Sequence, residues 1–161
     1  MKNKFLLLVV TLGFGLNVAA QEISKNAIGL RIGDNDGFGG EISFQRALGN
    51  NNRLELDLGI RSGNNYDGFK LTGLYQWVWQ LKGDFNWYAG AGGGIGNYSY
   101  ELPTPLKDES ETFLFAAGNV GIEYNFDIPI QLSLDVRPEI GFGDFRNDLD
   151  FDLALGVRYR F

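Results

Sequence analysis

The chain has 161 residues, enough for one domain, with 23 glycines, 14% aromatic residues and a formal charge of −6. It contains no cysteine and no histidine. That excludes a disulfide framework, a thiolate zinc site, a catalytic thiol and a Ser-His pair, and the acidic balance argues against nucleic acid as a partner.

Residues 1–20 read as a signal peptide. Lys2 and Lys4 give a positive start, Phe5 to Leu16 is apolar apart from Thr and Gly, and Val18-Ala19-Ala20 places small residues before a cut at Gln21. The apolar stretch is shorter than the roughly 20 residues that spanning requires. Removing Lys2 and Lys4 leaves 12 basic against 20 acidic residues, a charge of −8 on residues 21–161. No later apolar run has the length of a membrane helix. If this chain crosses a bilayer it must do so with strands, and strands in lipid must close on themselves.

Eight segments alternate between apolar and polar residues, the period of a strand with two unlike faces. The first, Ala27 to Ile32, sets Ile28, Leu30 and Ile32 against Arg31. The second, Gly39 to Leu48, sets Ile42 and Phe44 against Glu41, Ser43 and Gln45. In the third, Arg53 to Arg61, four aliphatic residues from Leu54 to Ile60 oppose Arg53, Glu55, Asp57 and Arg61. The fourth, Phe69 to Leu81, has Phe69, Leu71, Tyr75, Trp77 and Trp79 on one face; Lys70, Thr72, Gln76 and Gln80 share the other with Leu74 and Val78. The fifth, Phe85 to about Tyr100, points Phe85, Trp87, Ala89, Ala91, Gly93 and Ile95 outward and four glycines from Gly90 to Gly96 inward. In the sixth, about Phe113 to Tyr124, Leu114, Ala116, Val120, Ile122 and Tyr124 oppose Asn119 and Glu123. The seventh, Ile130 to Phe142, sets Ile130, Leu132, Leu134, Val136, Ile140 and Phe142 against Gln131, Ser133, Asp135, Arg137 and Glu139. Pro138 lies inside it and cannot donate to a ladder, so a bulge or the end of pairing is expected there. The eighth, Phe151 to Phe161, sets Phe151, Leu153, Leu155, Val157, Tyr159 and Phe161 against Asp152, Arg158 and Arg160.

Short connections (Gly49 to Asn52, Lys82 to Asp84, Asn125 to Ile128) alternate with longer ones rich in Gly, Asn and Asp (Gly33 to Phe38, Ser62 to Gly68, Glu101 to Thr112, Gly143 to Leu149). Outer-membrane barrels have short periplasmic turns and long outside loops. The expected fold class is all-β: an eight-stranded antiparallel up-and-down transmembrane β-barrel over residues 21–161, with both mature termini periplasmic.

Period 2 does not itself say which face is inside. A lipocalin-like soluble barrel encloses its apolar face around a ligand, and an outer-membrane barrel turns it toward lipid. Three features favour lipid. Charges of both signs share the polar faces: Arg31, Arg53, Arg61, Lys70, Arg137, Arg158 and Arg160 with Glu41, Glu55, Asp57, Glu123, Asp135, Glu139, Asp150 and Asp152. Such a set suits an interior salt network, and we single out Glu55, Asp57, Arg61, Glu123, Asp135, Arg137, Glu139, Asp152, Arg158 and Arg160 as its members. Aromatics gather near strand ends, with Trp77, Trp79, Trp87, Tyr124 and Tyr159 forming a candidate interfacial girdle and Phe161 at the same level. There is no cysteine and no helical segment to close a barrel end.

With its leader, its alternating segments and a last strand ending on Phe161, the chain resembles the small outer-membrane β-barrel proteins of Gram-negative bacteria, such as the OmpA transmembrane domain and OmpX. Trp87-Tyr88-Ala89-Gly90-Ala91-Gly92-Gly93-Gly94 and Leu132-Ser133-Leu134-Asp135-Val136-Arg137-Pro138 are similar to sequences of the porin-like "outer membrane protein beta-barrel" group. The resemblance implies residence in the outer membrane, with lipid and lipopolysaccharide as surroundings. It also implies recognition by the barrel-assembly machinery, in which Tyr159 and Phe161 supply the terminal signal.

Other motifs are weaker. The Gly90 to Gly96 run lacks the Lys-Ser or Lys-Thr of a phosphate loop and misses the third glycine of GxGxxG. Asp34-Asn35-Asp36-Gly37 has its Gly fourth and a Gln at the twelfth position, which fits a turn better than a calcium loop. Asp108, Glu109 and Glu111 add acidity to the outer loops. Glu55/Asp57, Asp135/Glu139 and Asp150/Asp152 share faces with arginines, which suits ion pairing better than general acid work. The resemblance adds that enzymes on such barrels lean on histidine, which this chain lacks. The reading is therefore a non-enzymatic barrel without cofactor or metal, with a filled interior and a structural or surface-interaction role, whose extracellular ligand the sequence leaves open. A narrow channel or small-solute transporter is the alternative, and a soluble ligand-binding barrel the third possibility.

Overall fold

The computed structural model describes residues 23–33, 39–62, 66–100, 109–142 and 148–161, with the side chains of Arg61, Tyr66, Tyr100 and Glu109 outside that description. The expected leader, the cut at Gln21 and the Asp34 to Gly37 turn lie outside the described residues. Eight strands follow in order: β1 (Asn26–Gly33), β2 (Glu41–Ala47), β3 (Asn52–Ser62), β4 (Tyr66–Lys82), β5 (Phe85–Tyr100), β6 (Glu109–Asn125), β7 (Ile130–Phe142) and β8 (Leu149–Arg160). Each pairs antiparallel with the next, and β1 pairs with β8 to close the barrel. At the seam the backbone of Asn26 exchanges hydrogen bonds with that of Phe161, at 3.0 and 2.9 Å.

The alternation decides which way each residue points. On β7 and β8 the inward positions are buried, apart from Asp150 and Arg160 at the two ends of β8, and nearly all the outward ones are exposed. Leu30, Leu56, Leu71, Ile122, Leu134 and Leu155 lie on the outer wall, while Arg31, Asp57, Lys70, Glu123, Asp135 and Arg158 lie inside. On β5 the outward apolar set runs from Phe85 to Ile95, which at about 3.3 Å per residue and a tilt near 40° gives a band about 25 Å tall.

Several strands differ from the sequence reading at their loopward ends, β4 and β6 the most. β4 begins at Tyr66, and β6 begins at Glu109, so Glu109 and Glu111 belong to a strand and not to a loop. The reason is on the outer face of the β5–β6 hairpin. Asn97, Ser99, Ser110 and Thr112 stand there in a hydrogen-bonded cluster, with Asn97 donating to Ser110 and Thr112 at 3.0 Å. The ladder continues above the apolar band, but the hydrophobic alternation that marks a strand stops with Ile95 and Leu114. At β2 the strand starts at Glu41, two residues later than the alternation suggested.

Pro138 produces no bulge. It pairs with Phe151 on β8, and the β6–β7 register is the same on either side of it, from Ala117↔Glu139 to Val120↔Val136. Opposite it stands Gly118, whose added Cβ would meet Pro138 Cγ at 3.6 Å. The missing N–H is absorbed by opening the ladder locally against a glycine. The tight turn after β4 uses Gly83 at φ 57°, a left-handed conformation that glycine adopts without steric cost.

Candidate functional site: the filled lumen

Among the described residues, charged groups from many strands converge in the lumen. Arg31 on β1 is one hub. Its Nη2 donates to Asp135 Oδ1 at 2.6 Å, and its Nη1 donates to Asp152 Oδ2 at 2.5 Å and Glu41 Oε2 at 3.0 Å. Arg137 on β7 is the second, reaching across the barrel to Asp57 Oδ2 on β3 at 2.9 Å and Glu41 Oε2 on β2 at 2.6 Å, with its Nε 3.1 Å from Glu139. Lys70 on β4 donates to Glu139 at 3.0 Å. Nearer the short turns, Arg158 donates to Glu55 at 3.0 Å, Ser43 at 2.9 Å and Ser133 at 2.8 Å. Arg53 donates to Gln76 at 2.6 Å, sits 2.7 Å from Glu123 and lies over the ring of Tyr88. Some of these contacts join facing residues of neighbouring strands, as Arg31 and Glu41 do, while those of Arg137 with Asp57 and of Arg158 with Glu55 are struts across the cylinder.

Five cations (Arg31, Arg53, Lys70, Arg137, Arg158) and seven carboxylates (Glu41, Glu55, Asp57, Glu123, Asp135, Glu139, Asp152) are buried among the described side chains. Burial of a charge is tolerable only when partners replace water, and here most are supplied by residues distant in sequence. The structure thus brings together Glu55, Asp57, Glu123, Asp135, Arg137, Glu139, Asp152 and Arg158. It does not bring Arg160 into that set: Arg160 is at the barrel end, donating to the carbonyls of Phe126 at 2.5 Å and Ile128 at 3.0 Å in the β6–β7 turn. Its inward parity is overridden because the strand runs out of barrel at that level. Arg61 carries a side chain outside the described residues, and Asp150 is half-buried at the loopward rim. Arg31 and Glu41, outside the singled-out set, prove to be central; their parity in the first two segments is the signal that marks them.

The opposite side of the lumen is of another kind. Leu74 on β4 and Phe113, Phe115 and Ala117 on β6 form a buried apolar cluster, with Tyr98 of β5 packed against it. Tyr98 stacks on Phe113 with centroids 5.6 Å apart, and Lys70 lies over the Phe115 ring at 5.5 Å. The inward glycines of β5 explain how the rings fit. Gly94 faces Phe115 and Gly96 faces Phe113 across the ladder, and a Cβ at either glycine would run into that ring. Gly121 stands in the same relation to Tyr88, at 2.5 Å from a built Cβ to the Tyr88 Cζ. The glycine run is therefore a bed for aromatic side chains. Its signal in the sequence is Phe113-Leu114-Phe115, where alternation fails because both faces are apolar.

The aromatic residues expected to form a girdle lie together at the short-turn end. Trp79 and Trp87 face each other across β4 and β5 and stack at 4.4 Å; Phe85 and Tyr124 meet at 4.6 Å; Tyr159 and Phe161 stack at 6.3 Å. Tyr75 and Trp77 meet edge-on at 5.0 Å, and Asn52 hydrogen-bonds the Tyr75 hydroxyl. All point outward. Among the described residues no group of three or more His, Cys, Asp or Glu side chains is arranged to hold a metal ion.

The barrel is similar to several solved eight-stranded outer-membrane barrels. With Neisserial surface protein A it shares 16% identity over 84% of this chain and 93% of that one, at a TM-score of 0.58. With the N-terminal β-barrel domain of OprF from Pseudomonas aeruginosa the values are 14%, 84%, 95% and 0.60. With Ail, the attachment invasion locus protein of Yersinia pestis, they are 16%, 86%, 97% and 0.57. No protein-family model and no curated protein matches the chain. At these identities the likeness is one of fold, and the fold is that of a small outer-membrane β-barrel.

Proposed function

We propose that this protein is an integral outer-membrane barrel whose sealed interior serves rigidity and whose activity is interaction with other molecules through its loopward end. The observation that carries this reading is the sorting of side chains by parity: an outer wall of exposed aliphatic and aromatic residues around a buried ionic interior. In water that wall would be an apolar surface far larger than a soluble monomer exposes. A band about 25 Å tall with an aromatic margin at one end matches hydrocarbon with its interface. On this reading the short turns face the periplasm and lipid and lipopolysaccharide surround the wall. Tyr159 and Phe161 present the terminal signal to the assembly machinery.

The struts of Arg137 and Arg158 across the lumen support a plugged interior over a diffusion pore. Membrane fractionation tests the placement: the protein is expected in the outer-membrane pellet, resistant to carbonate extraction and released folded by detergent. Recovery in a detergent-free periplasmic extract overturns it. Planar-bilayer recording tests the plug, and steady conductance from the purified barrel would favour the channel.

A further inference from the structure

The cations of this chain divide by place. Arg31, Arg53, Lys70, Arg137 and Arg158 are buried in the lumen. Among the described side chains four others remain, Lys25, Arg46, Lys82 and Arg160, and all but Lys82 stand at the short-turn foot of the closing seam. The register puts them there. Arg160 pairs with Ala27 on one side of β1, and Arg46 pairs with Asn26 on the other. Lys25 comes just before β1, and its carbonyl accepts from the Ala47 N–H at 2.9 Å. Lys25 and Arg160 line one cavity of about 390 Å³ together with Ser24, Asp127, Pro129 and Phe161. Small-ligand pockets run from about 300 to 1,000 Å³. The Arg160 guanidinium is held in place there: its Nη2 donates to two carbonyls of the β6–β7 turn, and its Nε has no hydrogen-bond partner. Neither Lys25 nor Arg160 is ion-paired with another described residue.

The cavity borders the apolar wall. Phe161 lines it and also stacks on Tyr159, with centroids 6.3 Å apart, and both rings are exposed on the outer face. Two residues up from Asn26 and Arg46, the outer face carries the facing pair Ile28 and Phe44. An occupant that joins negative charge to hydrocarbon therefore meets suitable surroundings at both ends. A guanidinium and an ammonium are the usual side-chain partners of phosphate. The lining side chains hold two cations against the single acid Asp127, an excess that suits a singly charged phosphodiester. Asp127 can in turn accept from a headgroup hydroxyl. Arg46, exposed beside the cavity on β2, adds to the attraction. We propose that Lys25 and Arg160 bind the phosphate of a singly anionic glycerophospholipid in the leaflet on the short-turn side, with its chains along the outer wall at Tyr159 and Ile28. The proposal rests on the lipid-facing reading of that wall. Bound there, the lipid bridges the first and last strands where the barrel closes.

The test uses the full folded barrel in maltoside micelles, which contain no phosphate. Phosphatidylglycerol or phosphatidylcholine with the same chains is added, and native mass spectrometry counts the lipids retained. The backbone amide signals of Lys25 and Arg160 are followed in parallel by NMR. Binding predicts one retained phosphatidylglycerol per barrel, little phosphatidylcholine, and saturable shifts at both amides. Lys25→Gln should weaken retention about fivefold, and Lys25→Glu should abolish the preference. Arg160→Lys, which keeps the charge, should retain it. Lys82→Gln, at the β4–β5 turn, should change nothing. Equal retention of the two lipids overturns the proposal, as does an unaffected Lys25→Gln. A loss in Lys82→Gln as large as in Lys25→Gln shows only a diffuse field, and also overturns it. Displacement of the lipid by millimolar inorganic phosphate would mark a free-anion site and overturn the lipid assignment. If Arg160→Lys does not fold, the Lys25 variants still decide. A barrel found in the membrane pellet without lipid preference fails this proposal alone, whereas recovery in a detergent-free extract fails the reading beneath it.

Discussion

Around β1, β2, β3, β7 and β8 the inner wall is faced with guanidinium and carboxylate groups, whereas the inner face of β4 to β6, besides Lys70 and Glu123, carries Leu74, Phe113, Phe115 and Ala117 over glycines. Both sides fill the same narrow cylinder, but they do so with different physics. On the ionic side the hubs depend on partners from several other strands, as Arg137 depends on Glu41 of β2 and Asp57 of β3. On the apolar side each ring needs only volume, and a glycine directly opposite provides it. The ionic side should therefore behave as a coupled unit and fail together, while the apolar side should lose stability in proportion to the atoms removed.

The largest effect is expected at the hub. Arg137→Met strands buried carboxylates and should cost about 3–5 kcal/mol of barrel stability, measured by urea unfolding in detergent or vesicles. Adding Glu41→Gln to that variant should recover part of the loss, and strict additivity of the two changes would break the picture of a coupled half. Phe115→Ala should cost about 3 kcal/mol and combine additively with Arg137→Met; strong coupling between them would erase the boundary drawn here. Leu56→Arg, on the outer wall of β3, should cost about 2–4 kcal/mol if it lies near mid-bilayer, and an unchanged unfolding curve in vesicles would argue against a lipid-facing wall. Gly83→Ala, in the turn outside both halves, should cost only about 1 kcal/mol from its positive φ.

The same comparison separates what the sequence revealed from what it hid. Strands β3, β7 and β8 were legible because their alternation is nearly unbroken, and with parity known the inward charges of Asp135, Arg137 and Arg158 follow. What parity cannot supply is the partner. That Arg137 meets Asp57 depends on the curvature that carries β7 opposite β3, and no spacing along the chain encodes it. The apolar half was visible only as a defect, in Leu74, Val78 and the Phe113–Phe115 pair breaking the pattern. Arg160 misled because parity gives the face but not the height, and at the barrel end an inward residue meets turn carbonyls instead of the network. The loopward ends of β4 and β6 were hidden for a different reason: above the apolar band the outer face turns polar, as at Asn97, Ser99, Ser110 and Thr112, so the strand carries on without its hydrophobic rhythm.

The seam between Asn26 and Phe161 has a consequence for how the molecule is made. The hoop is fastened by its two most widely separated strands, so no partial chain can satisfy its own borders. Until β8 reaches β1, a growing sheet presents two raw margins of amide and carbonyl groups, open to capture by any neighbouring chain. The last clasp to shut, between β1 and β8, is therefore the first place where trapped intermediates should be sought.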